Sequence, residues 1–191
     1  MYPKIYKSFV NLFTNIKNFF FCIRYPFWKV RNPFGKKSLD YSCLEYDMIP
    51  EGWQKAFGKQ LSKDLRKVLK KEKCLHSFYF MDIKEKYGSL RLDGAFTTEK
   101  IDEVLDYYEL LSMCYCLCCG KPVRYISKGW INYLCEDCAK KYIKPEYLKE
   151  CRTTYKDIPV ISTGYYDKVT QKFISQKKPL PINFKEKWDL N

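Results

Sequence analysis

Cysteine is the residue type in this chain whose spacing most clearly implies chemistry. There are ten cysteines, and four of them fall within the ten residues MCYCLCCGKP (113–122). Cys116 and Cys119 are separated by two residues, as are Cys135 and Cys138, and fifteen residues lie between the two pairs. Two intervening residues let a tight turn aim both sulfurs at one point. Fifteen residues let a short hairpin return the chain to the same ion, so the pattern reads as a four-cysteine zinc site. The expected cofactor is one structural Zn2+ per chain, bound by Cys116, Cys119, Cys135 and Cys138. Four thiolates leave no coordination position for a reacting water, which argues against catalysis by the metal. Zinc binding of this kind contributes about 10 kcal/mol or more to folding a small module. Cys114 and Cys118 are spaced by three residues and lack a glycine turn directly after them. They read as thiols outside the set, able to substitute for a ligand. Two well-spaced pairs argue against a redox dithiol.

The segments around the cysteines must position them. Gly120-Lys121-Pro122 follows the first pair, and glycine there tolerates the turn of a metal-binding knuckle. VRYISKGWINYL (123–134) reads as a hairpin turning at Lys128-Gly129, and the second pair opens a helix expected over about 136–150, kinked or broken near Pro145. Knuckle, hairpin and helix in that order resemble the treble-clef zinc-finger fold, with a zinc ribbon as the alternative.

Upstream, Pro50-Glu51-Gly52 opens a helix carrying the apolar stripe Trp53, Phe57, Leu61, Leu65, Val68 and Leu69. Two strands are expected within 76–92, turning at Tyr87-Gly88. A further helix starts at Thr97 or Thr98 and buries Ile101, Val104, Leu105, Tyr108 and Leu111. Residues 4–24 place Ile5, Phe9, Leu12, Phe13, Ile16, Phe20 and Ile23 at helical spacing among Lys4, Lys7, Lys17 and Arg24. That pattern predicts a basic amphipathic helix without the roughly 20 apolar residues needed to span a bilayer. The Pro- and aromatic-rich stretch 24–37 reads as an extended connector, 160–174 as a late hairpin, and 175–191 as a mobile tail. The fold class is therefore α+β. The expected units are a basic N-terminal helix and linker (1–46), an α-β-β-α domain (47–112), a zinc-finger module (113–150) and a basic C-terminal extension (151–191).

The net charge of +13 is concentrated at the ends. Residues 1–39 hold eight Lys/Arg and no acid, whereas 40–139 hold 15 Lys/Arg against 16 Asp/Glu. The single histidine, His76, lies far from the cysteines, which disfavours the nuclease chemistry that some treble-clef proteins perform. Asp82, Glu85 and Asp93 bracket the first hairpin and read as solvated charges rather than an acid/base pair or Mg2+ site. No phosphate-binding glycine loop or nucleophile motif is present, no small-molecule substrate is evident, and the chain is expected not to be an enzyme.

IPEGWQKAFG (49–58), IKEKYGSLRL (83–92), CLCCGKP (116–122) and KGWINYLCEDCAKK (128–141) together resemble a family of uncharacterised proteins of tailed bacteriophages and prophages, over roughly 47–141. The resemblance implies a phage origin and a zinc-binding C-terminal half, and it carries no catalytic residue. The expected function is binding of nucleic acid or a host protein in the host cytoplasm, without secretion. Lys121, Arg124, Lys128, Lys140 and Lys141 would contact the nucleic acid or another anionic surface, with Trp130, Tyr125 and Tyr133 available for stacking. The alternative is attachment to an anionic membrane surface through Lys4, Lys7, Phe9, Phe13, Lys17 and Phe20, and packing of the same helix on the protein's own core is equally open.

Overall fold

A computed structural model describes the backbone of residues 3–31, 38–151, 160–167 and 172–179, and the side chains of 11–31 and 38–151. Helix α1 is Pro3–Arg24. Trp53, Phe57, Leu61, Leu65 and Leu69 recur at every fourth position, slightly longer than one α-helical turn. Helix α2 (51–71) accommodates this by starting as α-helix (Glu51–Trp53), widening into a π-helical stretch (Gln54–Gly58) and continuing as α-helix (Lys59–Lys71). All five side chains, and Val68, are buried.

Strands β1 (Tyr79–Lys86) and β2 (Ser89–Ala95) form an antiparallel hairpin. Its turn is Tyr87-Gly88, with φ of 53° and 77°, the twist that suits a two-residue connection. A bulge between Phe80 and Asp82 leaves Phe80 buried and Met81 exposed. Helix α3 (Glu99–Ser112) begins after Thr98 and packs Ile101, Val104, Leu105, Tyr107 and Tyr108 into the same core. It also covers the outer edge of β2. The backbone N–H of Leu90 donates to Ser112 Oγ (2.9 Å) and that of Leu92 to Glu109 Oε1 (2.7 Å), so side chains stand where a third strand would otherwise pair. Inside the core, the Tyr108 hydroxyl donates to the buried carboxylate of Asp64 at 2.5 Å.

The connector after α1 is not extended at its start, although Lys29 just beyond the turn returns to extended backbone. Pro26–Trp28 closes a 3-10 turn, and both Phe27 and Trp28 are fully buried. Trp28 stacks on Phe80 at 4.7 Å between ring centroids, and its Nε1 donates to Ser62 Oγ at 2.9 Å. The aromatic richness of this stretch thus reflects core packing. Residues 32–37 lie outside the described part.

Beyond α3, β3 (Tyr125–Ser127) pairs with β4 (Tyr133–Leu134) on one side and β5 (Leu148–Glu150) on the other. Helix α4 is Glu136–Tyr142, shorter than the sequence expectation. Pro145 begins a 3-10 turn (Pro145–Tyr147) and the chain continues as β5 rather than helix. Strands β6 (Val160–Asp167) and β7 (Lys172–Pro179) form the late hairpin. Its second strand reaches Pro179, inside the stretch read as a tail; 180–191 lie outside the described residues.

Candidate metal centre

The first cysteine pair sits on a knuckle made by backbone hydrogen bonds. Cys116 N–H donates to Lys121 O (2.8 Å) and Gly120 N–H to Cys116 O (2.9 Å). Gly120 adopts φ of 79°, the left-handed conformation that glycine takes at low cost. Leu117 N–H donates to Tyr133 O (3.3 Å) and Arg124 N–H to Leu134 O (2.9 Å), joining the knuckle to β4. Cys135 then stands at the N-cap of α4 and Cys138 in its first turn.

The four sulfurs of Cys116, Cys119, Cys135 and Cys138 lie within 4.8 Å of one another, and those of Cys119 and Cys135 are 3.5 Å apart. Metal–sulfur bonds of about 2.3 Å in a tetrahedral site place the sulfurs roughly 3.8 Å apart, so this cage has the size for a single ion. Among the described residues it is the only group of three or more His, Cys, Asp or Glu side chains that could hold a metal. No disulfide joins any of the cysteines.

The centre's electrostatics follow from burial and backbone donors. Burial pushes the Cys116 thiol up, but the N–H groups of Cys135, Cys119 and Cys118 outweigh it and the thiol falls below its ordinary value. Burial pushes both Cys135 and Cys138 up; at Cys135 the backbone N–H of Cys138 opposes it and the Cys119 thiol adds to it, and at Cys138 the neighbouring thiols add to it. A cation held by these residues would supply the charge that stabilises all four as thiolates. Cys118 is exposed at the rim, and burial of its sulfur together with the neighbouring Cys116 raises its thiol. Cys114 is buried beside Leu110, Met113 and Tyr115. Neither belongs to the cluster.

The knuckle is locked to the first turn of α2. Gly52 N–H donates to Leu117 O (3.1 Å) and Trp53 Nε1 to Tyr115 O (2.9 Å). A Cβ on Gly52 would sit 2.3 Å from Cys116 O, and one on Gly120 would sit 2.5 Å from Gly52 O. The hairpin turn also touches the module, since a Cβ on Gly88 would come within 2.8 Å of the Tyr133 ring. The spacing of the cysteines does not point to Gly52. The available signal is a glycine in the first turn of a strongly patterned helix, where most residues are better helix formers.

The cations expected to line an anionic contact are mostly paired within the module. Lys121 bonds Asp137 (2.7 Å), Arg124 bonds Glu136 (3.0 Å), and Lys140 bonds Glu136 (2.6 Å). Lys128 Nζ donates to Glu146 O (3.0 Å), and Lys141 Nζ lies 4.9 Å from the centre of the Tyr142 ring. Of the expected stacking residues, Tyr125 and Tyr133 are half-buried, whereas Trp130 is 77% exposed. Asp82 and Asp93 are register partners across the hairpin with Lys84 paired to Asp82, whereas Glu85 Oε1 turns to the Gly88 N–H at 2.5 Å, so the three do not form one cluster. His76 is exposed, and its carbonyl accepts from Arg31 Nη2 at 3.2 Å. On α1, Phe13, Lys17 and Phe20 are exposed, while the side chains of Lys4, Lys7 and Phe9 lie outside the described residues.

Searched against protein families, curated proteins and solved structures, the chain has no match. None of these comparisons identifies the phage family expected from the four sequence blocks. Their contacts are physical: Gly52 meets Gly120, Gly88 meets Tyr133, and Leu117 bonds Tyr133.

Proposed function

We propose that this chain is a non-catalytic, phage-encoded binding protein whose C-terminal part is a zinc-stapled, treble-clef-like module that docks onto a host protein. Zinc is the ion favoured by four thiolates at tetrahedral spacing. Two ligands on a knuckle and two at the start of α4 favour a treble clef over a ribbon, whose second pair would sit on another knuckle. Four thiolates fill the coordination sphere, which supports a structural role.

The observation that carries the reading is Trp130. Its side chain is 77% exposed at the tip of the hairpin between the two ligand pairs. Tyr87, 70% exposed, sits on the neighbouring turn, whose Gly88 lies against the backbone of Ile131. An indole and a phenol at adjacent, rigid tips are the kind of anchors that dominate protein interfaces. Three of the five surrounding cations, Lys121, Arg124 and Lys140, are tied to carboxylates, which weakens phosphate recognition and favours a protein partner over nucleic acid.

Affinity capture from host lysate tests this, comparing wild type with Trp130→Ala, with and without nuclease, and with metal measured on the same samples. The expected result is a nuclease-resistant protein partner lost from the variant, with about one zinc per chain in both. Capture that disappears with nuclease, or is equal for both proteins, overturns the docking reading. Zinc well below one per chain overturns the staple.

A further inference from the structure

Over residues 11–24, helix α1 turns mostly polar side chains, with Phe21 and Cys22, toward the protein and a run of apolar ones toward solvent. Between residues 11 and 24, the positions that are buried or half-buried are Thr14, Asn15, Asn18, Phe21 and Cys22. Asn18 Nδ2 donates to Tyr41 O at 2.8 Å, and Phe21 packs against Tyr25 and Tyr46 at 5.0 and 5.4 Å between ring centroids. Leu12, Phe13, Ile16, Phe19, Phe20 and Ile23 are all exposed, with Phe13 at 71%, and among the described residues only Phe19, at the edge of the set, also meets a ring of the protein body, Tyr41 at 5.3 Å between centroids. At 100° per residue these six fall on one continuous arc. Ile5 and Phe9 continue the same spacing toward the N-terminus. An amphipathic helix that packs on its own core buries the apolar arc; this one does the reverse.

Charge identifies what the arc is built to meet. The first 39 residues hold eight Lys/Arg and no acidic residue. Lys17 and Arg24, both exposed, border one side of the arc, where long basic side chains can reach headgroups while the apolar groups insert. A second copy of the chain would set one +8 segment against another, which is repulsive. An anionic lipid surface supplies the opposite charge and a medium for the apolar arc. Among the described residues no helix is long and apolar enough to cross a membrane, so the helix would lie in the interface plane. We propose that α1 binds the surface of an anionic bilayer, peripherally and reversibly, leaving the metal module displayed above it.

The test is co-sedimentation of the full chain with vesicles of phosphatidylcholine alone or mixed with phosphatidylserine, at low and high salt. Wild type is compared with Phe13→Glu/Phe20→Glu, and with Lys17→Glu. The substituted side chains are exposed, so unchanged circular dichroism and metal content should confirm that each variant is folded. The expected result is binding to the anionic vesicles that weakens with salt, falls at least tenfold in the double variant and falls less in Lys17→Glu. Three outcomes overturn the proposal. One is no binding to anionic vesicles at low salt. Another is equal binding by wild type and the double variant. The third is a dimer that wild type forms and the double variant does not, with no vesicle binding, which would make the arc a self-association face.

Discussion

Replacing Gly52 by alanine sets two effects of opposite sign against each other. In a helix, alanine is favoured over glycine by up to about 1 kcal/mol, less in the first turn. Propensity alone therefore makes Gly52→Ala neutral or mildly stabilising. The knuckle reverses this. The new Cβ would lie 2.3 Å from Cys116 O and 2.4 Å from Leu117 O, and both atoms are backbone, so no side-chain rotation relieves the contact. Reaching ordinary van der Waals distance requires the helix and knuckle to part by about 1 Å. The bond from Gly52 N–H to Leu117 O, now 3.1 Å, would then exceed hydrogen-bonding range. The bond from Trp53 Nε1 to Tyr115 O would be strained, and Trp53 is fully buried, so its indole N–H has no water to turn to. An unsatisfied buried donor costs about 1–3 kcal/mol, and overpacking a similar amount. The net expectation is a loss of about 2–4 kcal/mol together with weaker zinc binding, since the displaced carbonyl belongs to a ligand residue. Urea unfolding at buffered free zinc and competition with a chromophoric chelator measure the two. Gly129→Ala is the control: its φ is 82° and no heavy atom lies within 4 Å of the added Cβ, so it should cost about 1 kcal/mol from conformation alone and leave zinc affinity unchanged. A Gly52→Ala protein at least as stable as wild type, with equal zinc affinity, would refute the coupling of helix to knuckle.

Tyr108→Phe removes a hydroxyl that donates to buried Asp64 at 2.5 Å, and should cost about 1.5–3 kcal/mol in urea unfolding, as for a lost bond to a charged group. Cys135→Ser should abolish stoichiometric zinc binding by elemental analysis, whereas Cys118→Ser, at an exposed residue outside the cluster, should retain it. Glu72 is held below the ordinary carboxylate value chiefly by its hydrogen bond to Lys100, which outweighs desolvation, with a smaller contribution from Thr98. Its stabilising contribution is present above the unfolded pKa near 4.5 and is lost as pH falls through the lower folded value. The difference in melting temperature between wild type and Glu72→Gln should therefore shrink as pH is lowered through and below 4.5, whatever acid does to the cysteine cluster in both proteins.

Features with a repeating sequence signal were legible. The stripe from Trp53 to Leu69, the stripe from Ile101 to Tyr108 and the Tyr87-Gly88 turn each repeat or break a local pattern, and each lies where its pattern places it. The cysteine pairs announce themselves by spacing alone and their sulfurs converge. What escaped depends on contacts between distant segments. Phe27 and Trp28 occupy a single turn with no periodicity, so nothing local distinguishes core aromatics from linker aromatics. Helix α4 stops at Tyr142 because Pro145 and the pairing of Leu148–Glu150 with β3 redirect the chain, and that pairing is invisible until β3 is placed. The orientation of α1 is the strongest case. Its amphipathic pattern was plain, but only the surroundings of Thr14, Asn15 and Asn18 show which face the protein takes.

The metal centre and the apolar arc of α1 sit at opposite ends of one mechanical path. Cys116 and Leu117 are clasped to Gly52, and α2 carries Ser62, which receives the indole hydrogen bond of Trp28. Trp28 follows directly on the turn that ends α1, and Phe21 of α1 packs on Tyr46, which in turn meets the Trp28 ring at 5.2 Å. Each link is a packed ring or a buried hydrogen bond rather than an exposed ion pair, so each is resistant to salt. A membrane-bound α1 would therefore hold the hairpin tip carrying Trp130 at a fixed attitude instead of on a flexible tether. For a partner that approaches along the bilayer, that fixed attitude reduces the orientational freedom lost on binding, so that less of the energy gained by burying the Trp130 anchor is offset by ordering.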